Sequence, residues 1–162
     1  MIAENLVEVR ERISRAIQKS GREPDSARLI TVSKQISVDR IEEARAAGAV
    51  VFGENKIQEA IPKIEQMGAE GIFWHFIGHL QKNKIKFLDE RFDLIHSVDS
   101  FELAEKIAKH YHSENRVQRI LLQVNVSGEA AKFGMEPKEL EKQMAEFFQL
   151  QGIQVEGLMT IP

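Results

Sequence analysis

The sequence predicts an α/β protein built on a parallel sheet. Six short apolar runs rich in β-branched or aromatic residues recur along the chain, and longer stretches of helical periodicity fill the gaps between them. Helix-stopping glycines stand at Gly48, Gly68 and Gly152. The alternation continues to the last residues with no linker and no low-complexity stretch, so 162 residues read as one domain, 1–162. Repeated strand–helix units of this length imply parallel strands joined by right-handed crossovers.

Each element follows in order. Residues 3–19 form an amphipathic helix, with Leu6, Val9, Ile13, Ala16 and Ile17 at helical spacing. Ser20-Gly21 stops it, and Pro24 lies in the loop beyond. The first strand is 29–33. A helix over 38–47 starts at a cap on Ser37 or Asp39 and ends at Gly48. Strand 50–53 leads to helix 55–67, closed by Gly68. Strand 73–77 leads to helix 79–90. Strand 94–97 leads to helix 100–112, capped by Ser100 or Asp99. Strand 120–126, helix 137–149 and strand 155–159 complete the series. Six such strands fit either an open doubly wound sheet or an incomplete barrel, and both place ligands at the carboxyl ends of the strands.

Composition narrows the function classes. With 43% hydrophobic and 29% charged residues, the chain is expected to be globular rather than disordered. A formal net charge of −3 offers no basic excess for a nucleic-acid backbone. The absence of cysteine removes disulfides and thiolate metal sites. Apolar runs fall far short of the roughly 20 residues of a membrane helix. The opening MIAENLVEVRERI is acidic and lacks the apolar core of a secretion signal, so a cytoplasmic location is expected.

Polar groups gather where the strands end. Lys34 follows the first, Glu54-Asn55 the second and Gly78-His79 the third. Ser97 and Asp99 close the fourth, Asn125 and Ser127 the fifth, and Met159-Thr160 the sixth. Lys34 is the outlier. At the top of a sheet interior, desolvation would lower its pKa and leave a neutral amine able to form a Schiff base with an aldehyde. On spacing alone, a lysine snorkelling to water is the more economical reading. Other patterns carry less. His75 and His79 have zinc-helix spacing but sit in a strand-like run. Gly48 to Gly53 lacks the Lys-Ser/Thr of a P-loop, and no dinucleotide glycine motif is present. Lys82, Lys84 and Lys86 read as a solvated helix face.

Taken together, "VSK", "FGENKIQEA", "WHFIGHLQKNK", "HSVDS", "QVNVSGEAAKFG" and "GLMTIP" resemble, in order and spacing, the pyridoxal phosphate homeostasis proteins, small relatives of the alanine racemase barrel domain. The resemblance covers essentially the whole chain. It implies a parallel (β/α) barrel of the TIM type with pyridoxal 5′-phosphate at its carboxyl face. It also implies that Lys34 of "VSK" carries the cofactor as a Schiff base. Asn55 and His79 match residues lining the pocket, and Ser97 and Met159 match residues near the cofactor ring. The family is regarded as a carrier or regulator of the cofactor pool with no robust turnover. A racemase-type enzyme would need a second acid–base group such as a tyrosine, and the only tyrosine here, Tyr111, falls late in an outer helix. Two local departures stand out: Gln35-Ile36-Ser37 where a proline is frequent, and Lys56 where an aromatic is frequent. Family members also continue for about two more βα units that hold the phosphate. Without them the barrel is expected to lack its last two units, to self-associate through open edges, and to hold the cofactor weakly or, in the extreme, not at all.

Overall fold

Residues 1–68, 70–129 and 132–161 are described by a computed structural model of the chain; Ala130, Ala131 and Pro162 of the quoted runs lie outside them. The opening helix, α1 (Ile2–Lys19), buries Leu6 and Ile17 and turns its charged residues outward, as its spacing requires. Six strands follow: β1 (Thr31–Val32), β2 (Val51–Glu54), β3 (Phe73–Phe76), β4 (Leu94–Val98), β5 (Gln118–Gln123) and β6 (Ile153–Met159). They form one parallel sheet in the order β1-β2-β3-β4-β5-β6. A doubly wound sheet reverses its strand order at a switch point, and this one never does. The order therefore selects the barrel, and the sheet is part of one, with β1 and β6 each bonded to a single neighbour among the described residues.

The helices α2 (Val38–Ala46), α3 (Ile57–Met67), α4 (Phe101–Ser113) and α5 (Pro137–Phe147) supply the outer layer. Phe52, Trp74, Ile95 and Ile120, from successive strands, are at most 1% exposed and share one core with Ile64 and Ile107 of α3 and α4. Burial of each such side chain contributes about 1.5–3 kcal/mol, so this seam holds the helices to the sheet. Neighbouring residues alternate to the other face of a strand. Gly53, His75 and His96 therefore face the barrel interior.

Three expectations change. The stretch 79–90 is not an α-helix but a short 3-10 segment, Lys82–Phe87, in which only Ile85 is buried. One anchor and three like-charged lysines give a longer helix too little packing to form. The first strand is two residues long rather than five, because it pairs on one side only. The fifth ends at Gln123, not at 126. Beyond it the chain curls back: Val124 bridges Met135, and the Asn125 amide donates to the Met135 carbonyl at 2.9 Å. Gly134 makes that curl possible. Its φ is +125°, and a Cβ there would lie 2.6 Å from the Asn125 nitrogen.

Candidate functional site

The carboxyl ends of the strands form a rim. Lys34 lies in the turn that leaves β1, followed by Gln35 in the left-handed region at φ 60°. It is solvent-exposed, so the burial that would have desolvated its amine is not there. Ser33, just before it, is buried and fully bonded. Its amide donates to the Gly53 carbonyl at 3.0 Å, and its hydroxyl donates to Glu54 Oε1 at 2.6 Å. Its carbonyl accepts from the Ile36 amide at 3.0 Å and from Lys63 Nζ at 2.8 Å. Lys63, on α3, also donates to Glu54 Oε1 at 2.8 Å. Glu54 is 0% exposed, and its Oε2 is buried without a partner.

The next three ends are in contact. Asn55 leaves β2 half-buried, with its Oδ1 buried and unpaired. Gly78 lies against the Asn55 backbone so closely that a Cβ would be 2.2 Å from the Asn55 carbonyl oxygen. Ser97 of β4 donates its hydroxyl to the Gly78 carbonyl. His79 turns outward: its Nδ1 is 3.3 Å from Asp99 Oδ2, and its ring stacks on Phe133 with centroids 3.9 Å apart. Asn55 and His79 line one open cleft together with Gln81 and Lys84. Met159 stands apart on β6, two strands from Ser97, where its carbonyl accepts from the Val124 amide at 2.8 Å.

Thus Asn55, His79 and Ser97 come together, Lys34 joins them through Ser33 and Glu54, and Met159 occupies the far edge. An apolar groove lined by Leu6, Leu29, Val32, Ile36 and Phe52 runs beside β1 and touches the Lys34 turn, but includes none of the other four. From sequence, Glu54 and Asp99 stand at strand ends, Asp99 also as a candidate helix cap, with no part in the site assigned to either, and Lys63 and Phe133 carry no role at all. A carboxylate directly after the apolar run 50–53 was a legible signal for Glu54. Lys63 had none, since a lysine in an amphipathic helix reads as solvent-facing.

Tyr111 lies at the opposite end of the sheet. It is 2% exposed, and its hydroxyl donates to the Asp89 carbonyl, on the segment entering β4, at 3.2 Å. Burial pushes its phenol pKa up.

The family model described as "Alanine racemase, N-terminal domain" matches residues 5–162. The pyridoxal phosphate homeostasis protein of Aquifex aeolicus is 42% identical over 159 residues, spanning 98% of this chain and 70% of the relative. That of Escherichia coli K12 is 38% identical over 164 residues, spanning 99% of this chain and 70% of the relative. The structure of PipY from Synechococcus elongatus, described with pyridoxal phosphate bound, matches with a TM-score of 0.84 at 37% identity, over 100% of this chain and 71% of that one.

Proposed function

Because the chain belongs to the pyridoxal phosphate homeostasis protein family, we propose that it holds pyridoxal 5′-phosphate at this rim, with Lys34 as the covalent attachment point and Asn55, His79, Ser97 and Met159 around the ring. It is a pyridoxal phosphate-binding protein with a role in the intracellular homeostasis of that cofactor. The observation that supports the site assignment is the bonding of Ser33, which anchors the root of the exposed Lys34 to the end of β2, the strand that Asn55 leaves.

The residues present fit the aldehyde and ring of the cofactor. When bound, the aldehyde supplies the carbonyl with which an amine condenses, releasing water. Lys34 is exposed and can pass the proton it must lose to solvent. Asn55 Oδ1 is a buried acceptor with no partner, the kind of atom a ring hydroxyl would satisfy. Gly78 keeps the floor beside Asn55 clear of a side chain. Ser97 has already committed its proton to the Gly78 carbonyl, so it shapes the floor rather than moving a proton.

The protein serves the cofactor supply and does not turn over a substrate. Racemisation needs acid–base groups on both faces of the ring. The Tyr111 hydroxyl is bonded at the other end of the sheet and cannot serve. The same reading gives pyridoxal phosphate as partner, no nucleic acid or membrane, a cytoplasmic location, and self-association when these 162 residues stand alone. No helix among the described residues is long and apolar enough to cross a membrane.

The test is to mix the chain with pyridoxal 5′-phosphate, reduce with borohydride and map the labelled peptide. The label is expected on Lys34 and absent from Lys34→Ala; a label on Lys82, Lys84 or any other lysine overturns the assignment. Steady alanine racemisation at ordinary enzyme rates, of order 1–10³ per second, overturns the absence of turnover.

A further inference from the structure

Every polar group of the buried Ser33 is bonded, as burial requires, and its partners come from two other elements. Its amide, hydroxyl and carbonyl reach Gly53, Glu54, Ile36 and Lys63, so the peptide that leads into Lys34 is held from β2 and from α3 at once. The ion pair behind it is largely buried, fully so at Glu54 and with the Lys63 side chain 13% exposed. A buried ion pair is a poor device for stability alone, because well-packed apolar side chains usually do as well or better. This one also leaves Glu54 Oε2 buried and unpaired, a further cost to the fold. Yet Lys63 divides its bonds between the Glu54 carboxylate and the carbonyl of Ser33. The arrangement fixes a backbone position more than it fills a core.

We propose that Ser33, Glu54 and Lys63 form a positioning clasp for Lys34, holding the β1 turn so that the Lys34 amine meets the aldehyde of pyridoxal 5′-phosphate from one direction. The inference rests on the reading that Lys34 carries that cofactor. Glu54 and Lys63 are positioning residues, acting through Ser33. A lysine side chain has many rotamers, and the clasp fixes its root, leaving only side-chain rotation to be arrested when the bond forms. The step itself joins the amine nitrogen to the aldehyde carbon and expels the aldehyde oxygen as water, and the clasp takes no proton from it.

The experiment compares the unaltered chain with Lys63→Met, Lys63→Arg, Ser33→Ala and a core control in the same helix, Ile64→Val. Two readouts are taken. In the cofactor-free chain, deuterium exchange at the Ile36 amide and the pH profile of Lys34 acylation report the turn and the amine directly. With pyridoxal 5′-phosphate added, the rate of borohydride-trappable adduct on Lys34 reports the approach. Lys63→Met is expected to speed Ile36 exchange and to slow adduct formation by about tenfold, below the roughly hundredfold loss that a 1 Å misplacement of a reacting group can bring. Ser33→Ala should do so by less. Lys63→Arg should recover most of the rate, and Ile64→Val should lower Tm without moving either readout.

Adduct forming at the unaltered rate in both Lys63→Met and Ser33→Ala overturns the proposal, as does equal slowing in Ile64→Val. Should Lys63→Met fail to fold, Ser33→Ala decides alone. If the unaltered chain carries its adduct on another lysine, the cofactor reading falls and the clasp with it. If the adduct is on Lys34 and the variants match the unaltered chain, only the clasp falls.

Discussion

His75 and His96 meet on the interior face of the sheet, with Nε2 of His96 3.0 Å from Nδ1 of His75 and ring centroids 5.0 Å apart. One ring must donate and the other accept, so the pair is complete only with a neutral acceptor nitrogen. Burial pushes the His75 pKa down from 6.5 to about 4, and the neighbouring His96, Arg119 and Arg28 push the same way against Glu156. Burial lowers His96 as well. The unfolded chain then binds more protons than the folded one between about pH 6.5 and pH 4. The stability that depends on neutral histidine is therefore fully present above that window and is lost as the pH falls through it. Thermal unfolding followed from pH 7 to pH 4 should show Tm dropping most steeply in this interval. His75→Gln, which removes the titrating ring, should flatten the drop. Parallel Tm–pH curves for the two proteins would show that the acid sensitivity lies elsewhere.

Among the elements, the ends of β2 and β3 approach so closely that no side chain fits between them at residue 78. A methyl group on residue 78 would lie 2.2 Å from the Asn55 carbonyl oxygen and 2.6 Å from its Cα, both backbone atoms that no side-chain rotation can move. Gly78→Ala is expected to cost about 1–3 kcal/mol of stability and to weaken cofactor binding by parting Asn55 from Ser97. Urea denaturation and cofactor titration measure the two effects, and an unchanged midpoint with unchanged affinity would contradict the close approach. The sequence made much of this framework legible. Apolar runs marked all six strands, and the Ser100 hydroxyl does accept from the Leu103 amide at 3.3 Å, as a capping serine should. Elements with few buried anchors were less legible. The segment Lys82–Phe87 has one buried side chain, and β1 has a partner on one side only, so local pattern overstated both. At the site, residues of the quoted motifs could be listed from sequence, but Lys63 could not. Its role depends on α3 being laid against the β1 turn, a tertiary fact with no local signature.

For the whole molecule, the sheet ends matter first. Val32 on β1 is 48% exposed and Leu158 on β6 is 60% exposed. Each of these strands presents unpaired backbone on its outer side among the described residues. A polypeptide of only these 162 residues is therefore expected to self-associate as concentration rises. Light scattering over a dilution series checks this, and Leu158→Lys should reduce the association by placing a charge on the edge. A concentration-independent monomer would count against open edges as sticky surfaces. The uninterrupted strand order has a consequence of another kind, for the ribosome. Among the described residues each strand's partner is the next one synthesised, so each of these five pairings closes a short loop, and only the outer side of β1 is left to a later strand. Pairing can advance from the amino end at the pace of translation, with every new strand finding a finished edge as its template.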